Sequence, residues 1–197
     1  MDRIVNDEAL DILFRAARNH RYWSERPVSD TLLRAVWELV KLAPTDGNSL
    51  PARIAFVRSR AAKEQLLPAV PGNRREAVAA APVTAIIGYD VRFFERLPRL
   101  LPRNPTARRR FVGRPAQARA SAALNASLQA GYLLMAARAL GLDGGLICDF
   151  GNAVVDAAFF PEGNPRSLLL CQLGYGDASR LGPRNPRLDF DEACKLL

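Results

Sequence analysis

Apolar positions along the chain recur in two rhythms, and each predicts its own elements. At helical spacing, Leu10, Leu13, Phe14 and Ala17 follow the start signal Asn6-Asp7-Glu8 and predict a first helix to about Arg18. Ser29-Asp30 opens a second helix with Leu32, Leu33, Val36, Leu39 and Val40 on one face, closed by Pro44. Residues 53–58 read as a short strand and 83–89 as the most apolar one, with two short helices between them near 60–69 and 73–81. Residues 115–140, dense in Ala and Leu, predict a long central helix, and the glycines of 141–145 suit its C-terminal cap. A short helix at 152–159, a strand at 167–173, a Gly/Pro/Arg-rich loop and a last helix opened by Asp189 complete the reading.

This order predicts an α+β layer fold built on one small mixed sheet. The length of 197 residues, with neither repeats nor a dividing linker, points to a single domain over 1–197. No GxGxxG follows a strand and no GxxxxGK[ST] occurs, so neither common nucleotide-binding glycine loop is present. Hydrophobic residues at 49% and charged residues at 24% exclude a disordered or fibrous chain. The most apolar stretch, 122–137, is interrupted by Asn125, Ser127 and Gln129 and reads as a buried helix rather than a membrane span. The acidic start Met1-Asp2-Arg3 through Asp11 lacks the apolar region of a secretory signal, so a cytoplasmic protein is expected.

Three cysteines, Cys148, Cys171 and Cys194, lack CxxC spacing, which argues against a disulfide framework and against structural zinc; no metal site is expected. The single histidine, His20, has no GxSxG partner and leaves little room for hydrolytic triads.

Charge is unevenly placed. The net charge is +8, and between Arg92 and Arg119 nine arginines face one acid, Glu95, so the whole excess lies there. Such a strip can bind nucleic acid through phosphates, steer a small anion to a pocket, or be a solvated face. Prolines 98, 102, 105 and 115 break it up, and no recognition motif accompanies it, so nucleic acid is the least expected partner.

Four further segments carry polar groups beyond structural need. Arg18-Asn19-His20-Arg21 is either a cationic helix end or a phosphate clamp. Pro44-Thr45-Asp46-Gly47-Asn48 is a turn that also offers donors and acceptors to a planar heterocycle. Asp143-Gly144-Gly145 through Asp149 is a helix cap or a close approach of backbone to ligand. Arg184-Asn185-Pro186-Arg187 is a late basic loop.

In their joint order and spacing these segments resemble the FMN-dependent nitroreductase family, in particular a short bacterial branch that includes the malonic semialdehyde reductase of Rut pyrimidine degradation. The resemblance runs over nearly the whole chain and is strongest in Pro27-Val-Ser-Asp30, Ala43-Pro-Thr45 to Asn48, Pro51-Ala-Arg-Ile54 and Ala81-Pro-Val-Thr-Ala-Ile86. It continues in Phe94-Glu-Arg-Leu-Pro98, Arg138-Ala-Leu-Gly-Leu-Asp143, Leu173-Gly-Tyr-Gly-Asp177 and Phe190-Asp-Glu-Ala-Cys194.

The resemblance implies a three-layer fold, a homodimer with shared sites, FMN as cofactor and NADH or NADPH as co-substrate. Hydride would pass to flavin N5 and on to a small acceptor (a semialdehyde, quinone or nitro compound) in ping-pong order, with no side chain assigned as catalytic. The family's Arg-Arg-Ser-x-Arg clamp on the FMN phosphate and ribityl chain matches Arg18, Asn19 and Arg21, with Ala17 a departure. Its Ala-Pro-Ser-x-x-Asn loop, which meets the flavin of the partner subunit, matches Pro44, Thr45 and Asn48. Asn73 lies within one residue of a flavin-contacting asparagine. Ile147, Cys148 and Asp149 stand where backbone amides approach N5, although the family's Pro and Gly are replaced by Leu146 and Asp149. Arg184 corresponds to a phosphate-binding arginine, with Arg187 nearby. Without the flavin, the strip between Arg92 and Arg119 would make the chain a non-catalytic anion- or nucleic-acid-binding protein.

Overall fold

A computed structural model describes residues 4–197. Asn6 caps α1 (Asp7–Leu10), its side chain accepting from the Ala9 N–H at 2.9 Å, and α1 runs directly into one π turn, Asp11–Arg15. The first helix therefore stops short of Arg18, which frees residues 17–24 to lie along the sheet. Ser29 caps α2 (Asp30–Val40) in the same way, its hydroxyl accepting from Leu32 N–H at 3.1 Å. Then follow β1 (Ala52–Val57), α3 (Arg60–Leu66), α4 (Gly72–Ala80), β2 (Val83–Asp90) and a short α5 (Leu97–Leu100). After α6 (Pro115–Ala139) come β3 (Asp143–Ile147), α7 (Asn152–Phe159), β4 (Pro165–Gly174) and α8 (Phe190–Ala193), the last with a capping box between Asp189 and Glu192.

The four strands are ordered β1-β2-β4-β3, and every neighbouring pair is antiparallel. The expected mixed sheet is thus corrected. β2 and β3 do run the same way, as a crossover through α6 dictates, but β4 inserts between them and no parallel pair forms. The strand β3 is itself a correction, because its Gly144-Gly145 pair reads as a helix cap in sequence. Its glycines answer crowding: a Cβ on Gly144 would lie 2.3 Å from Leu134 of α6, and one on Gly145 2.6 Å from the His20 carbonyl.

Two layers of helices cover the sheet. On one face Ala85, Ile87, Cys171 and Leu173 pack with Val36 and Val40 of α2 and Leu133 and Ala137 of α6. On the other, Ile86, Leu170 and Ile147 pack with Leu66, Val78, Val155 and Phe160. The expected three-layer α+β arrangement with a long central helix is what the chain forms. Around α6 the apolar residues are not confined to one stripe: Ala122, Ala126 and Leu133 are buried, while Leu124, Leu128 and Tyr132 are exposed at four-residue spacing.

The basic segment folds as a small lobe with its own core of Phe93, Leu97, Ala107 and Phe111 against Ala118 and Ala122 of α6. The Phe93 and Phe111 rings meet edge to face at 4.9 Å. Asp90, only 1% exposed at the end of β2, anchors the lobe. It accepts from Arg53 at 2.7 Å, from the Arg92 N–H at 2.8 Å and from the Arg96 guanidinium.

Candidate functional site

Residues 17–24 form an irregular edge beside the ends of β3 and β4. Asn19 bridges to Gly144 and Trp23 to Gly176. His20 N–H donates to Gly144 O at 3.3 Å, Ser24 N–H to Tyr175 O at 2.8 Å, and Asp177 N–H to Tyr22 O at 2.9 Å. This docking carries Arg18, Asn19 and Arg21 to the mouth of a cleft of about 720 Å³. Arg184 and Arg187 line the same cleft, so five basic or polar positions expected from sequence converge there. Arg74, Arg138 and Arg180 bring its arginines to seven, against the single acid Asp177.

The end of the first helix organises these cations. Its last carbonyls have no partner within the helix, and arginines take them. Arg138 donates to Leu13 O at 2.9 Å, and Arg184 to Arg15 O at 2.6 Å and Ala17 O at 3.0 Å. Arg18 donates in the opposite direction, to Gly182 O at 2.7 Å, so the two basic segments hold each other. Across the cleft the Arg180 guanidinium lies 3.3 Å from the centre of the Tyr22 ring.

Charge in this cleft is only partly balanced. Burial lowers the pKa of the Arg138 guanidinium; Asp143 opposes that shift and the nearby Arg184 adds to it. Asp177 is held below the usual carboxylate range, mainly by hydrogen bonds from the Ser179 hydroxyl and N–H, with Arg180 and His20 assisting. Three nitrogens on lining residues, His20 Nδ1, Arg138 Nε and Gln172 Nε2, are buried without a hydrogen-bond partner. A basic cleft with spare donors is built for a ligand rich in anionic and acceptor oxygens.

Other expected site residues lie elsewhere. Asn73 lines a smaller side pocket of about 190 Å³ with Arg21, Trp23 and Glu76, while its neighbour Arg74 lines the main cleft. The Ile147 side chain is buried in the second core cluster, and Cys148 and Asp149 are exposed just beyond β3; none of the three lines the cleft. Pro44, Thr45 and Asn48 sit outside the cleft, in a loop packed against α6 and the basic lobe. There Asp46 N–H donates to Asn125 Oδ1 at 2.7 Å, and Asn48 Nδ2 to Leu100 O at 2.7 Å. Asn48 and Leu50 hold left-handed backbone at φ 49° and 40°, a strained conformation for residues with a Cβ. One chain does not bring this loop to the arginines.

Arg74, Arg138, Gln172 and Arg180 line the cleft and are residues that sequence reasoning missed. The overlooked signal is polarity in the wrong place: a lone arginine in the last turn of an Ala/Leu helix, and a glutamine within an apolar strand. The basic strip is less free than its composition suggests. Arg92 pairs with Glu95 at 2.6 Å, Arg96 with Asp90, and Arg110 with Asp46 at 3.8 Å. Among the described residues no helix is long and apolar enough to cross a membrane, and no cluster of His, Cys, Asp and Glu is placed to hold a metal ion.

Residues 14–175 match the nitroreductase family. A protein of Ralstonia nicotianae, described as a candidate NADH dehydrogenase/NAD(P)H nitroreductase, is 50% identical over 98% of each chain. A Rhodopseudomonas palustris protein of the same description is 46% identical over the full length of both. Among solved structures, a nitroreductase family protein of Streptococcus pneumoniae superposes with a TM-score of 0.81 at 25% identity, covering 94% of this chain and 98% of that one. A nitroreductase-like protein of Exiguobacterium sibiricum, crystallised in complex with FMN, shares the fold with a TM-score of 0.80 at 17% identity over the whole of both chains. The cleft at the sheet's end, with its clamp of arginines, therefore lies in a chain that belongs to the nitroreductase family.

Proposed function

We propose that the protein is an FMN-dependent NAD(P)H oxidoreductase that reduces a small acceptor. The observation that carries this reading is the cleft itself: seven arginines to one acid, and two buried donor nitrogens, Arg138 Nε and Gln172 Nε2, without acceptors. A flavin mononucleotide answers both features, with a phosphate for the guanidiniums and carbonyl, ring-nitrogen and ribityl oxygen acceptors for the donors. The descriptions of the Ralstonia and Rhodopseudomonas relatives and the FMN in the Exiguobacterium structure support it. Bound FMN supplies a two-electron carrier that takes hydride from NADH or NADPH and gives it to the acceptor.

The chain's own part is to bind and to polarise. Arg18, Arg21 and Arg184 would neutralise the phosphate, and Asn19 and Gln172 offer hydrogen bonds. The summed positive field favours the negative charge that reduction adds. Asn73, in the side pocket that shares Arg21, and the backbone of Ile147, Cys148 and Asp149 just outside the cleft would supply further contacts.

The loop bearing Pro44, Thr45 and Asn48 reaches a flavin only across a homodimer. The exposed Leu124, Leu128 and Tyr132 on the otherwise buried α6 support that assembly, since a helix apolar all round is a buried one. Three free cysteines, two of them exposed, suit a reducing compartment such as the cytoplasm. As acceptor we favour a small semialdehyde such as malonic semialdehyde, with quinones and nitro compounds also reduced. A nucleic-acid-binding role is disfavoured by the carboxylates already spent on Arg92, Arg96 and Arg110.

The test is the visible spectrum of the purified protein before and after anaerobic NADH or NADPH. A flavin spectrum that bleaches on addition supports the reading. A colourless protein that takes up no added FMN overturns it.

A further inference from the structure

Arg138 has an imbalance that no structural role removes. It stands in the last turn of α6, lines the cleft, and spends one hydrogen bond of Nη1 on Leu13 O at 2.9 Å. Its other contact is weak, 3.9 Å to the Met135 sulfur. Nε is buried without a partner, and Nη2 has none among the described residues. Asp143, the acid whose charge acts on it, is engaged elsewhere: Oδ2 accepts from the Gly176 N–H at 2.9 Å and Oδ1 faces His20 Nε2 at 3.5 Å. Arg184, its neighbour, is another cation and is held by the same run of carbonyls. A partly buried guanidinium with no carboxylate in hydrogen-bonding contact is costly, and the cost is relieved when an anion enters.

We propose that Arg138 is an anion-binding residue of the cleft, which with Arg18 and Arg184 forms a three-guanidinium seat for the phosphate monoester end of the bound ligand. Three chain segments far apart in sequence, residues 13–18, the end of α6 and the loop 182–187, converge to make this seat. Carbonyls of the first helix fix the forks of Arg138 and Arg184 beforehand, so little side-chain freedom is lost when an anion arrives. For the ligand proposed above this inference rests on the flavin reading, and it predicts that phosphate recognition depends on a residue outside both basic sequence motifs.

The test compares FMN with riboflavin, which lacks the phosphate, on protein stripped of flavin, by quenching of flavin fluorescence. Arg138→Gln should weaken FMN about tenfold to a hundredfold, the range expected for a lost charge-assisted contact, and leave riboflavin within about twofold. Equal weakening of both flavins, or unchanged FMN affinity, overturns the proposal, because a residue that only braces the helix end does not distinguish them. If R138Q fails to fold, Arg138→Lys serves: an ammonium cannot hold Leu13 O and a phosphate in one planar fork, so the preference for FMN should still fall several-fold. An unchanged preference in R138K overturns the assignment. A wild-type protein that binds no FMN ends the flavin reading alone. Inorganic pyrophosphate should then still protect wild type, and not R138Q, against thermal unfolding, and equal protection overturns the seat.

Discussion

Gly176 lies directly beneath the ring of His20, and replacing it by alanine isolates a single steric event. A Cβ built there would lie 2.1 Å from His20 Cγ and Nδ1, against the roughly 3.5–4.0 Å at which non-bonded carbons rest. The φ of Gly176 lies outside the left-handed region, so alanine meets no backbone strain and the whole effect is contact. The ring must shift by about 1.5 Å to restore normal contact distances, and little around it yields. His20 is 5% exposed, its ring centre lies 6.1 Å from that of Trp23, and its own carbonyl presses on Gly145.

Overpacking of this kind costs about 2–3 kcal/mol. At about 2–4 °C per kcal/mol for a chain of this size, Gly176→Ala should lower Tm by about 4–12 °C. The assay is urea unfolding at fixed protein concentration, run as a cycle with His20→Ala. In the H20A background the same glycine change should cost less than about 0.5 kcal/mol, leaving a coupling of about 1.5 kcal/mol or more. A G176A cost that is small in wild type, or equal in both backgrounds, would refute the idea that this glycine exists to seat the histidine.

Elsewhere, Asp90→Asn should destabilise by about 3 kcal/mol, since it leaves two guanidiniums around a buried, now neutral group; urea unfolding that moves by less than about 1 kcal/mol would contradict the anchoring role. Cys171, whose thiol burial pushes up to about 12 from an ordinary 9.0, should resist a disulfide reagent at pH 8 while the exposed Cys148 and Cys194 react; three thiols counted in the native protein would be the wrong answer. Because that folded pKa lies above the unfolded one, the Cys171 contribution to stability is complete below about pH 9 and is lost as pH rises from there toward 12. Unfolding of Cys171→Ala should lack this alkaline component. Reversing the exposed Arg108 and Arg109 to glutamate should raise KM for anionic acceptors severalfold and spare neutral quinones, most clearly at low salt; equal changes for both classes would exclude steering.

How far the sequence carries can be judged element by element. β1, β2, β4 and α6 announce themselves because each is an apolar-rich run of strand or helix length that starts at or just after a proline. β3 does not, since Gly144 and Gly145 carry no side chains to show a rhythm and are chosen by what presses on them. The arginines at 18, 21, 184 and 187 are legible as motif residues clustered in basic segments. Arg138 and Gln172 are not, because each stands alone in an apolar element and acquires meaning only when α6 and β4 end at the same cleft. Asn73 and Arg74 show the limit of register: on a helix, one residue turns the side chain about 100° and changes which pocket it enters. The strip between Arg92 and Arg119 reads as free charge in composition, but Asp90 lies just outside the counted stretch and neutralises part of it.

The mutual grip of Arg18 and Arg184 has a consequence for biosynthesis. The bonds that close that wall of the cleft join residues 164 to 169 positions apart, whereas β1 and β2 pair within about forty residues. Contacts so distant in sequence form late, after closure of the longest loop in the fold. Because β4, the inner strand that ends at Gly174, is made only eight residues before Gly182, a nascent chain emerging at about 5–20 residues per second completes its sheet and this wall of its cleft nearly together, as its last tertiary events. Ligand capture then becomes the final step of maturation: a chain halted before Gly182 would keep most of its core but lack Arg184, Arg187 and the carbonyl that holds Arg18.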